Sequence, residues 1–535
     1  MTDQPFKVIV VGGGPSGITA AHVLQQAGID FVVLERRDSI VDDVGASLVL
    51  SPGSLRVFHQ LGILENLMEI GNTLSSGTGF TSDGHKFKQN LIGDYMTKNH
   101  GAGLTTFHRA HLIQVLYDTL PESARARYFT GKKLANIEST EKGVTVTCED
   151  GSTYSGNMII GADGVHSATR RQMRKLALAE DPNRDWDPIN PYKIQYQCLW
   201  ASFPRPTDAG QGCETQSKDK SIMYLTGKER GWIFLYEKLT EPIPERISFT
   251  PEQLEEYAER FADWPVAENI TVKDVFKERY SAGGAGLEEG ICKNWSWGGR
   301  IVLVGDAVHK FTPNAGLGFN NGLQDVVAVC NRLQKLTTNG NSPSLDDLQK
   351  LFDSYREERH VLLEKDLDAS ARLTRSQAWA STFDWIMARY VMAFSFVQKI
   401  FFTFNMSPSI QRAKVLDFVP AKETACRCLD CRKASGSAFG VSILVPAAAF
   451  ACDKGTPTDY TSTYDSGNEV VNHFCGTCGV TLWADGTSSP FKFVNAGVLD
   501  DLDALDMSKP AAKIYTCRRA WWCSALKVAQ QKEKM

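Results

Sequence analysis

Three glycines near the N-terminus have the spacing that the binding of a dinucleotide requires. Gly12, Gly14 and Gly17 follow a short apolar run and open a helix with apolar periodicity. In this pattern the first glycine permits a tight turn, the second lets the backbone approach a pyrophosphate, and the third lets the helix pack against the strand. Glu35 ends the next apolar run and could accept hydrogen bonds from a ribose diol. The segment therefore predicts a βαβ unit with phosphates at the helix start.

Two later segments place polar residues directly after short apolar runs. Asp163 lies in the first, GADGVHSATRR, and Asp306 lies in the second, GDAVHKFTPNAGLGFN. A carboxylate at Asp306 could bond a ribityl hydroxyl, and the helix that opens near Gly318 would present N–H groups to the O2 edge of a flavin ring. Arg109 stands at a loop-to-helix entry, where a guanidinium could reach a phosphate; a surface ion pair is the alternative.

Cysteines accumulate near the C-terminus. The spacing CxCxxC occurs at Cys426, Cys428 and Cys431, and CxxC occurs at Cys475 and Cys478. Thiolates at such spacings can converge on a tetrahedral zinc ion, whereas unrelated free cysteines are the alternative. This change of composition after residue 420 predicts a separate C-terminal module.

Length and composition restrict the class of protein. The chain has 535 residues, is 42% hydrophobic and carries a formal net charge of −4, so it can bury large cores and has no broad bias toward nucleic acid or anionic membranes. The N-terminal residues lack a charged-then-apolar targeting segment, so we expect a cytoplasmic protein that is not secreted. Thirteen cysteines in such a chain indicate thiols or metal sites rather than disulfides.

One apolar and aromatic stretch, residues 379–404, is interrupted by Asp384, Arg389 and Lys399. These charges argue against a membrane-spanning helix. We interpret the stretch as a buried helix pair that closes the first part of the chain. The alternative is an interfacial segment that makes peripheral contact with a membrane.

The three glycine- and aspartate-bearing motifs, in this order, resemble those of class A flavoprotein monooxygenases, the group that includes p-hydroxybenzoate hydroxylase. The segments GASLVLSPGSLRV and LTTFHRAHLIQVLY look most like the fungal branch that oxidises intermediates of indole-diterpene and meroterpenoid pathways. The resemblance implies a Rossmann-like FAD domain with an inserted, mostly antiparallel β substrate domain. It implies cofactor contacts at Gly12, Gly14, Gly17, Glu35, the backbone of Val49, Arg109, Asp163, Asp306, Gly318 and Phe319.

The reaction that this resemblance implies is the epoxidation or hydroxylation of an apolar natural-product intermediate. NAD(P)H would reduce FAD, O2 would supply the oxygen atom, and the protein would exclude water and orient the substrate. Several relatives carry a catalytic tyrosine in the stretch that is CETQS here, at 213–217, and Tyr224 is the nearest candidate for that role. Phe319 stands where the family often has glycine, and its ring is expected to add bulk near the flavin.

The C-terminal stretch resembles the glutathione-dependent formaldehyde-activating enzyme family, a small β fold with two zinc sites. The resemblance implies that Cys426, Cys428 and Cys431 form the open site and that Cys475 and Cys478 form half of the closed one. The other half, an upstream CxCG, is missing from this sequence. The module is therefore expected to be an appendage, a working fusion or the product of a gene-model join.

These observations predict five regions and leave two other functions open. The regions are two parts of an FAD-binding domain (1–184 and 291–370), a substrate β-sheet (185–290), C-terminal helices (371–420) and an incomplete zinc module (421–525). One alternative is a flavin-dependent halogenase, because Trp295-Ser296-Trp297 resembles part of the WxWxIP of such enzymes. The other is a zinc or thiol-adduct protein whose flavin part is inert.

Overall fold

The structure, a computed structural model, describes most of the chain. The described residues are 5–43, 47–75, 77–338, 342–419, 423–426, 440–447, 450, 452, 455–463, 469–486, 489, 491–498, 512–514 and 530–531. The chain divides into two compact units. Unit 1 is 1–95, 103–406 and 413–418, and unit 2 is 96–102, 407–412 and 419–535.

Helices and strands alternate along the first part of unit 1, as in α/β proteins, and a β-rich segment is inserted before the last strands and helices of the unit. The helices are α1 (Pro15–Gln26), α2 (Pro52–Gln60), α3 (Leu64–Ile70), α4 (Ile92–His100), α5 (Arg109–Asp118), α6 (Glu122–Arg125), α7 (Ala168–Glu180), α8 (Pro251–Glu259), α9 (Val272–Phe276), α10 (Leu317–Thr337), α11 (Leu345–Gln377), α12 (Thr382–Ile386), α13 (Ser395–Ile400) and α14 (Ser407–Gln411). The strands of unit 1 are β1 (Lys7–Val11), β2 (Asp30–Leu34), β3 (Ser47–Leu50), β4 (Asn72–Thr73), β5 (Gly77–Thr81), β6 (Lys86–Asn90), β7 (Thr105–His108), β8 (Tyr128–Phe129), β9 (Leu134–Thr140), β10 (Gly143–Cys148), β11 (Thr153–Gly156), β12 (Met158–Gly161), β13 (Lys193–Pro204), β14 (Gly212–Ser217), β15 (Lys220–Thr226), β16 (Arg230–Ile243), β17 (Pro265–Ala267), β18 (Ile270–Thr271), β19 (Ser281–Ile291), β20 (Ser296–Trp297), β21 (Ile301–Leu303) and β22 (His309–Lys310).

The first layer of unit 1 is a six-stranded sheet in the order β20-β21-β12-β1-β2-β8. Its pairings are parallel except for the edge strand β20. Val8, Ile9 and Val10 of β1 are fully buried, as expected for a central parallel strand covered on both faces. The Rossmann-like part of the expected fold is thereby confirmed, and the carboxyl ends of β1, β12 and β21 bring the three motifs to one edge of the sheet.

The second layer is an eight-stranded sheet in the order β22-β19-β13-β16-β15-β14-β5-β6. It is antiparallel except for the parallel pair β5 and β14, which confirms the mostly antiparallel insert. Alternation along its strands gives two apolar faces. The back face carries Leu199, Ala201, Phe203, Ile222, Tyr224, Ile233 and Leu235, packed with residues of α8 and α9. The front face carries Cys198, Leu225, Trp232, Phe234 and Tyr236, and Val49 of β3 packs against it.

The apolar residues between 52 and 70 belong to two helices, α2 and α3, because the chain turns at Gly62 with a φ of +79°. One expectation about local structure needs correction. The stretch 379–404 forms the short helices α12 and α13, each followed by a π-helical turn, but it is not buried. Large apolar side chains in it are 41 to 75% exposed: Phe383, Ile386, Tyr390, Phe394, Phe396, Ile400, Phe401 and Phe404. Among the described helices none is both long and apolar enough to cross a bilayer.

The described residues of unit 2 form an eight-stranded sheet. Its strands, in the order β25-β26-β27-β28-β24-β23-β29-β30, form a β-rich unit as expected. Their bounds are β23 (Glu423–Cys426), β24 (Gly440–Pro446), β25 (Thr458–Thr463), β26 (Glu469–Phe474), β27 (Thr481–Gly486), β28 (Phe491–Asn495), β29 (Ala512–Ile514) and β30 (Gln530–Gln531).

Candidate active site

In the glycine turn after β1, close packing requires glycine at two positions, whereas a third position has open space around it. A Cβ on Gly12 would lie 2.6 Å from the carbonyl oxygen of Ala162, and a Cβ on Gly17 would lie 1.8 Å from that of Gly12. A Cβ on Gly14 would meet no atom within 4 Å. Gly14 is also the N-cap of α1, where no side chain caps the helix. Its surface and the unpaired N–H groups of the first turn are therefore open to an anionic group.

Glu35 lies beside this turn and is held by backbone donors. Its Oε2 accepts a hydrogen bond from the N–H of Gly13 at 2.7 Å, and its Oε1 accepts one from the N–H of Arg37 at 2.9 Å. Each carboxylate oxygen keeps a second lone pair, so Glu35 can still accept from a diol. The Tyr128 hydroxyl donates to the carbonyl of Gly13 at 2.7 Å and supports the turn from behind. Burial raises the pKa of Tyr128, and the negative charge of Glu35 raises it further. The hydroxyl therefore stays protonated and can donate.

Arg109 begins α5 and carries an uncommitted positive charge. Its guanidinium makes no hydrogen bond or ion pair with any residue that the structure describes. Burial lowers its pKa, as does Arg37, while the carboxylates of Asp306 and Glu35 raise it. The charge therefore lies within electrostatic reach of both acids. A half-buried guanidinium without a protein partner suits a phosphate, with which it can form charge-assisted hydrogen bonds.

Asp306 lies in a 3₁₀ turn after β21, at the start of α10. Burial raises its pKa, but the ion pair with Lys310 and the charges of His309 and Arg109 together lower it by more, so the pKa is below its ordinary value and the carboxylate is ionised. A Cβ on Gly318 would lie 3.6 Å from Asp306 Oδ1. The acid is thus in position to accept hydrogen bonds beside the free N–H groups of the helix start.

The turn of Asp306 is fixed by a buried network that the sequence did not predict. Asp325 of α10 accepts the N–H of Gly305 at 2.9 Å through Oδ2. The same Oδ2 lies 2.6 Å from His309 Nε2, and Oδ1 accepts from Arg359 Nε at 2.8 Å. Both Asp325 and His309 are fully buried. The network therefore ties the Gly305 turn to α10 and α11 with charge-assisted bonds.

A second unpredicted residue, Asn320, joins β3 to α10. Its amide donates to the carbonyl of Val49 at 2.8 Å, and its Oδ1 accepts from the N–H of Ser51 at 2.9 Å and from the Ser54 hydroxyl at 2.6 Å. A Cβ on Gly316, the N-cap of α10, would be 3.5 Å from Val49 Cβ. Val49 and the α10 start are therefore neighbours. The quoted motif contained Asn320, but nothing in the sequence indicated its partners.

Two of the predicted residues, Phe319 and Asp163, make contacts within the protein that add to their interpretation. Phe319 turns its ring toward Phe58 of α2, at 6.3 Å between centroids, and the ring is buried against that helix. Asp163 uses both carboxylate oxygens to hold the start of α7, through the Ser167 hydroxyl at 2.5 Å and the N–H of Thr169 at 2.8 Å. Through these two hydrogen bonds Asp163 holds the turn of the second motif against the start of α7.

Tyr224, the candidate catalytic side chain, lies on the back face of the eight-stranded sheet. Its ring stacks on Phe203, and its hydroxyl is 2.7 Å from that of Thr207. Burial raises its pKa to about 12. Val49 packs on the opposite face, so the structure does not bring Tyr224 to the other candidate residues, and we assign it a structural role.

The halogenase-like tryptophan is part of the core. Trp295 is 1% exposed, donates its Nε1–H to the carbonyl of Cys292 at 2.7 Å and packs against Tyr355. It thus supports the strand before Asp306, as a packing residue would.

The predicted metal ligands are only partly within the described residues. Cys428 and Cys431 lie outside them, and of Cys426 only the backbone, in β23, is described. Cys475 and Cys478 lie in the turn after β26, where hydrogen bonds from Cys478 and Thr477 lower the pKa of Cys475. Among the described residues no group of three or more His, Cys, Asp or Glu side chains could hold a metal ion.

Comparisons with known proteins agree with this division of the chain. A family model described as an FAD binding domain matches residues 5–370. A second, described as glutathione-dependent formaldehyde-activating enzyme, matches residues 412–518.

Similar curated proteins come from fungi. The FAD-dependent monooxygenase spyC of Aspergillus fumigatus is 32% identical over 403 residues, which cover 73% of this chain and 83% of that protein. The FAD-dependent monooxygenase penE of Penicillium thymicola is 30% identical, over 78% of this chain and 89% of that protein.

Similar solved structures share the fold at low identity. Klebsiella pneumoniae HpxO complexed with FAD and uric acid gives a TM-score of 0.61 at 19% identity, over 76% of this chain and 96% of that one. A salicylate hydroxylase substrate complex gives 0.57 at 19% identity, over 77% and 99%.

Proposed function

Because this chain belongs to the FAD binding domain family and is an FAD-dependent monooxygenase by its relatives, we propose that it takes electrons from NAD(P)H and inserts one oxygen atom into an apolar, ring-bearing natural-product intermediate. Bound FAD supplies the redox chemistry, in which one atom of O2 enters the substrate and the other leaves as water. The residues of this chain bind the cofactor, orient the substrate and exclude water.

The observation that carries the cofactor site is the unpartnered guanidinium of Arg109 within reach of two acids. We assign Glu35 to the adenosine ribose, Arg109 to a phosphate and Asp306 to the ribityl chain. The open N-cap of α1 at Gly14 and the start of α10 at Gly318 would face the pyrophosphate and the flavin ring. Gly12 and Gly17 contribute by their packing, and Phe319 contributes its backbone N–H.

The substrate would lie between the start of α10 and the front face of the sheet. Leu225, Trp232 and Phe234 of that face are at most 6% exposed, and Val49 packs against the same cluster. Such an apolar wall favours a ring-bearing or prenylated molecule and excludes water from the reacting atoms. This reaction does not require the protein to supply a pair of side chains for general acid and general base catalysis.

NAD(P)H would approach near the second motif. Burial lowers the pKa of His166, and so do the positive charges of Arg246, Arg170, Arg171 and Arg36 around it. A concentration of guanidinium groups attracts the phosphates of a dinucleotide. We therefore propose this region for the transient visit of the nicotinamide cofactor.

The purified protein tests this function directly. We expect a yellow protein with one FAD per chain that oxidises NADPH or NADH and consumes O2, faster when a suitable substrate is present. Heat-treated protein with added FAD is the control for reaction of the free flavin. A colourless preparation that does not take up added FAD would contradict the proposal.

We also propose that the protein makes peripheral contact with a membrane through residues 379–404. The exposed aromatic and aliphatic side chains of α12, α13 and the π-helical turns support this, because adjoining exposed apolar groups are rare on proteins that meet only water.

Vesicles of phosphatidylcholine test the membrane contact. We expect the protein to sediment with them, and the variant Phe383→Ser/Phe396→Ser/Phe404→Ser to bind at least about tenfold more weakly because three rings lose their burial in lipid. Ile189→Ser/Tyr460→Ser, at similarly exposed sites elsewhere, is the matched control. Equal sedimentation of both variants would refute the contact.

A zinc ion in the C-terminal module is a further proposal, supported by the match of residues 412–518 to the formaldehyde-activating family. The lowered pKa of Cys475 favours the thiolate that zinc requires. Metal analysis of the full chain purified without chelators checks it, and less than half an equivalent of zinc would reject it.

A further inference from the structure

Several buried polar groups on the front face lack a hydrogen-bond partner. They are the hydroxyls of Tyr196, Ser221 and Tyr236 and the indole Nε1 of Trp232, and none of them bonds to any residue that the structure describes. All four residues are at most 2% exposed. An unpaired buried hydroxyl destabilises the folded state, so a set of them on one surface calls for a physical reason.

The register of the strands places three of these residues side by side on one face of the sheet. Ser221 of β15 stands directly opposite Tyr236 of β16, and Tyr236 stands opposite Cys198 of β13. Tyr196 is two residues before Cys198 and so shares its face. We call Tyr196, Ser221 and Tyr236 the hydroxyl row. The next pairs along the same face, such as Phe234 with Met223, are apolar.

Core tyrosines elsewhere in unit 1 show that this is not the rule in the protein. The Tyr257 hydroxyl donates to the carbonyls of Gln197 and Leu235, both at 3.2 Å. The Tyr355 hydroxyl donates to the carbonyl of Leu303 at 3.2 Å. Both side chains are as buried as Tyr236 to within 1%. Unpaired hydroxyls are therefore a property of the front face, where the proposed substrate lies.

We propose that the hydroxyl row is the polar end of the substrate site and binds a hydroxyl or carbonyl oxygen of the substrate. This rests on the proposed monooxygenase function. The substrate is then an apolar molecule with an oxygen-bearing head. Its head lies on Tyr196, Ser221 and Tyr236, and the alkene or ring to be oxidised lies on the apolar part of the face, which Val49 contacts.

The protonation state of the row suits this role. Burial raises the pKa of Tyr236 well above its ordinary value and that of Tyr196 to about 12. Both tyrosines are neutral near pH 7 and can donate to an oxygen acceptor as well as accept from a hydroxyl. The row therefore recognises an uncharged oxygen group, not a cation or a carboxylate.

A matched pair of probes tests the row in the FAD-loaded enzyme. The probes are 4-geranylphenol and geranylbenzene, which differ by one hydroxyl, and binding is followed by the change in flavin absorbance. We expect the wild type to bind the phenol about tenfold more tightly or better, as one to two buried hydrogen bonds provide. Tyr236→Phe/Ser221→Ala should bind both probes equally, while Tyr257→Phe, a tyrosine of the back side, keeps the preference.

Thermal unfolding gives a second readout that is independent of the probes. Because the Tyr236 hydroxyl makes no bond in the free protein, Tyr236→Phe should leave the Tm unchanged or raise it. A clear fall in Tm would reveal a protein partner and overturn the proposal. So would equal or absent binding of the two probes by the wild type, or loss of the preference in Tyr257→Phe. A yellow enzyme that oxidises NAD(P)H but fails these tests keeps the proposed function and rejects the row.

Discussion

Gly14→Val is expected to give a folded protein that has lost FAD. The structure leaves the space around a Cβ at this position empty, and Gly14 has a φ of −69° that any residue can adopt. The added side chain therefore strains nothing in the protein. It stands instead where a pyrophosphate would approach the N–H groups of α1. Loss of two hydrogen bonds to a charged group amounts to about 3–6 kcal/mol, or roughly two to four orders of magnitude in FAD affinity.

Flavin content per chain and calorimetric titration of the apoenzyme with FAD measure this effect. Gly14→Ala should lose less affinity than Gly14→Val, because a methyl group blocks less of the approach. Gly17→Ala is the contrast: its Cβ would overlap the carbonyl of Gly12, so the apoenzyme itself should unfold at a lower temperature. Gly14→Val protein that is purified with one FAD per chain would show that the opening motif has been misread.

Asp325→Asn should be the most destabilising single change among the residues of the buried network. The Asp325 carboxylate accepts from three donors, at Gly305, His309 and Arg359. An amide would replace one acceptor with a donor and leave the Arg359 guanidinium buried without its counter-charge. Breaking a buried ion pair in this way costs about 3–5 kcal/mol. Denaturant unfolding of the apoenzyme measures the loss, and Arg359→Met in the same chain should restore part of it.

The pH dependence of stability provides the accompanying test. Burial raises the pKa of Asp325, but His309 and Arg359 lower it by more, so its folded pKa lies below the unfolded value of about 4. A lowered folded pKa stabilises the protein above the unfolded pKa, and the contribution is lost as the pH falls toward the folded pKa. The wild type should lose this stability below about pH 4, and Asp325→Asn should show a smaller loss there. Identical profiles would contradict the role of the network.

Local sequence patterns predicted the elements that carry the site. The apolar run before Gly12, the glycine spacing and the acid at Glu35 depend on neighbours in the chain, and they suffice for a βαβ unit. The bonds that complete the site join distant residues. Asn320 bonds Val49 and Tyr128 bonds Gly13, and a single sequence contains no signal for such pairs.

The position of Tyr224 shows a second reason why the sequence alone could not predict the whole site. The sequence predicts that Tyr224 lies in the substrate β-sheet (185–290), but a shift of one residue in register moves a side chain from one face of a sheet to the other. Pairing of Tyr224 with Ile233 fixes it on the back face. For residues 379–404 the burial of the helices could not be predicted, because an apolar helix has the same composition whether it packs against protein or faces outward.

The bond between Asn320 and Val49 also sets the time at which the protein can acquire its cofactor during synthesis. The two residues are far apart in the chain, so the glycine turn, Glu35 and Arg109 leave the ribosome long before the start of α10 does. Until α10 folds back onto β3, the nascent chain lacks the helix start at Gly318, and the turn that carries Asp306 lacks its bond to Asp325. We therefore expect flavin loading to follow the synthesis of α10, and translation products that end before residue 317 should not retain FAD.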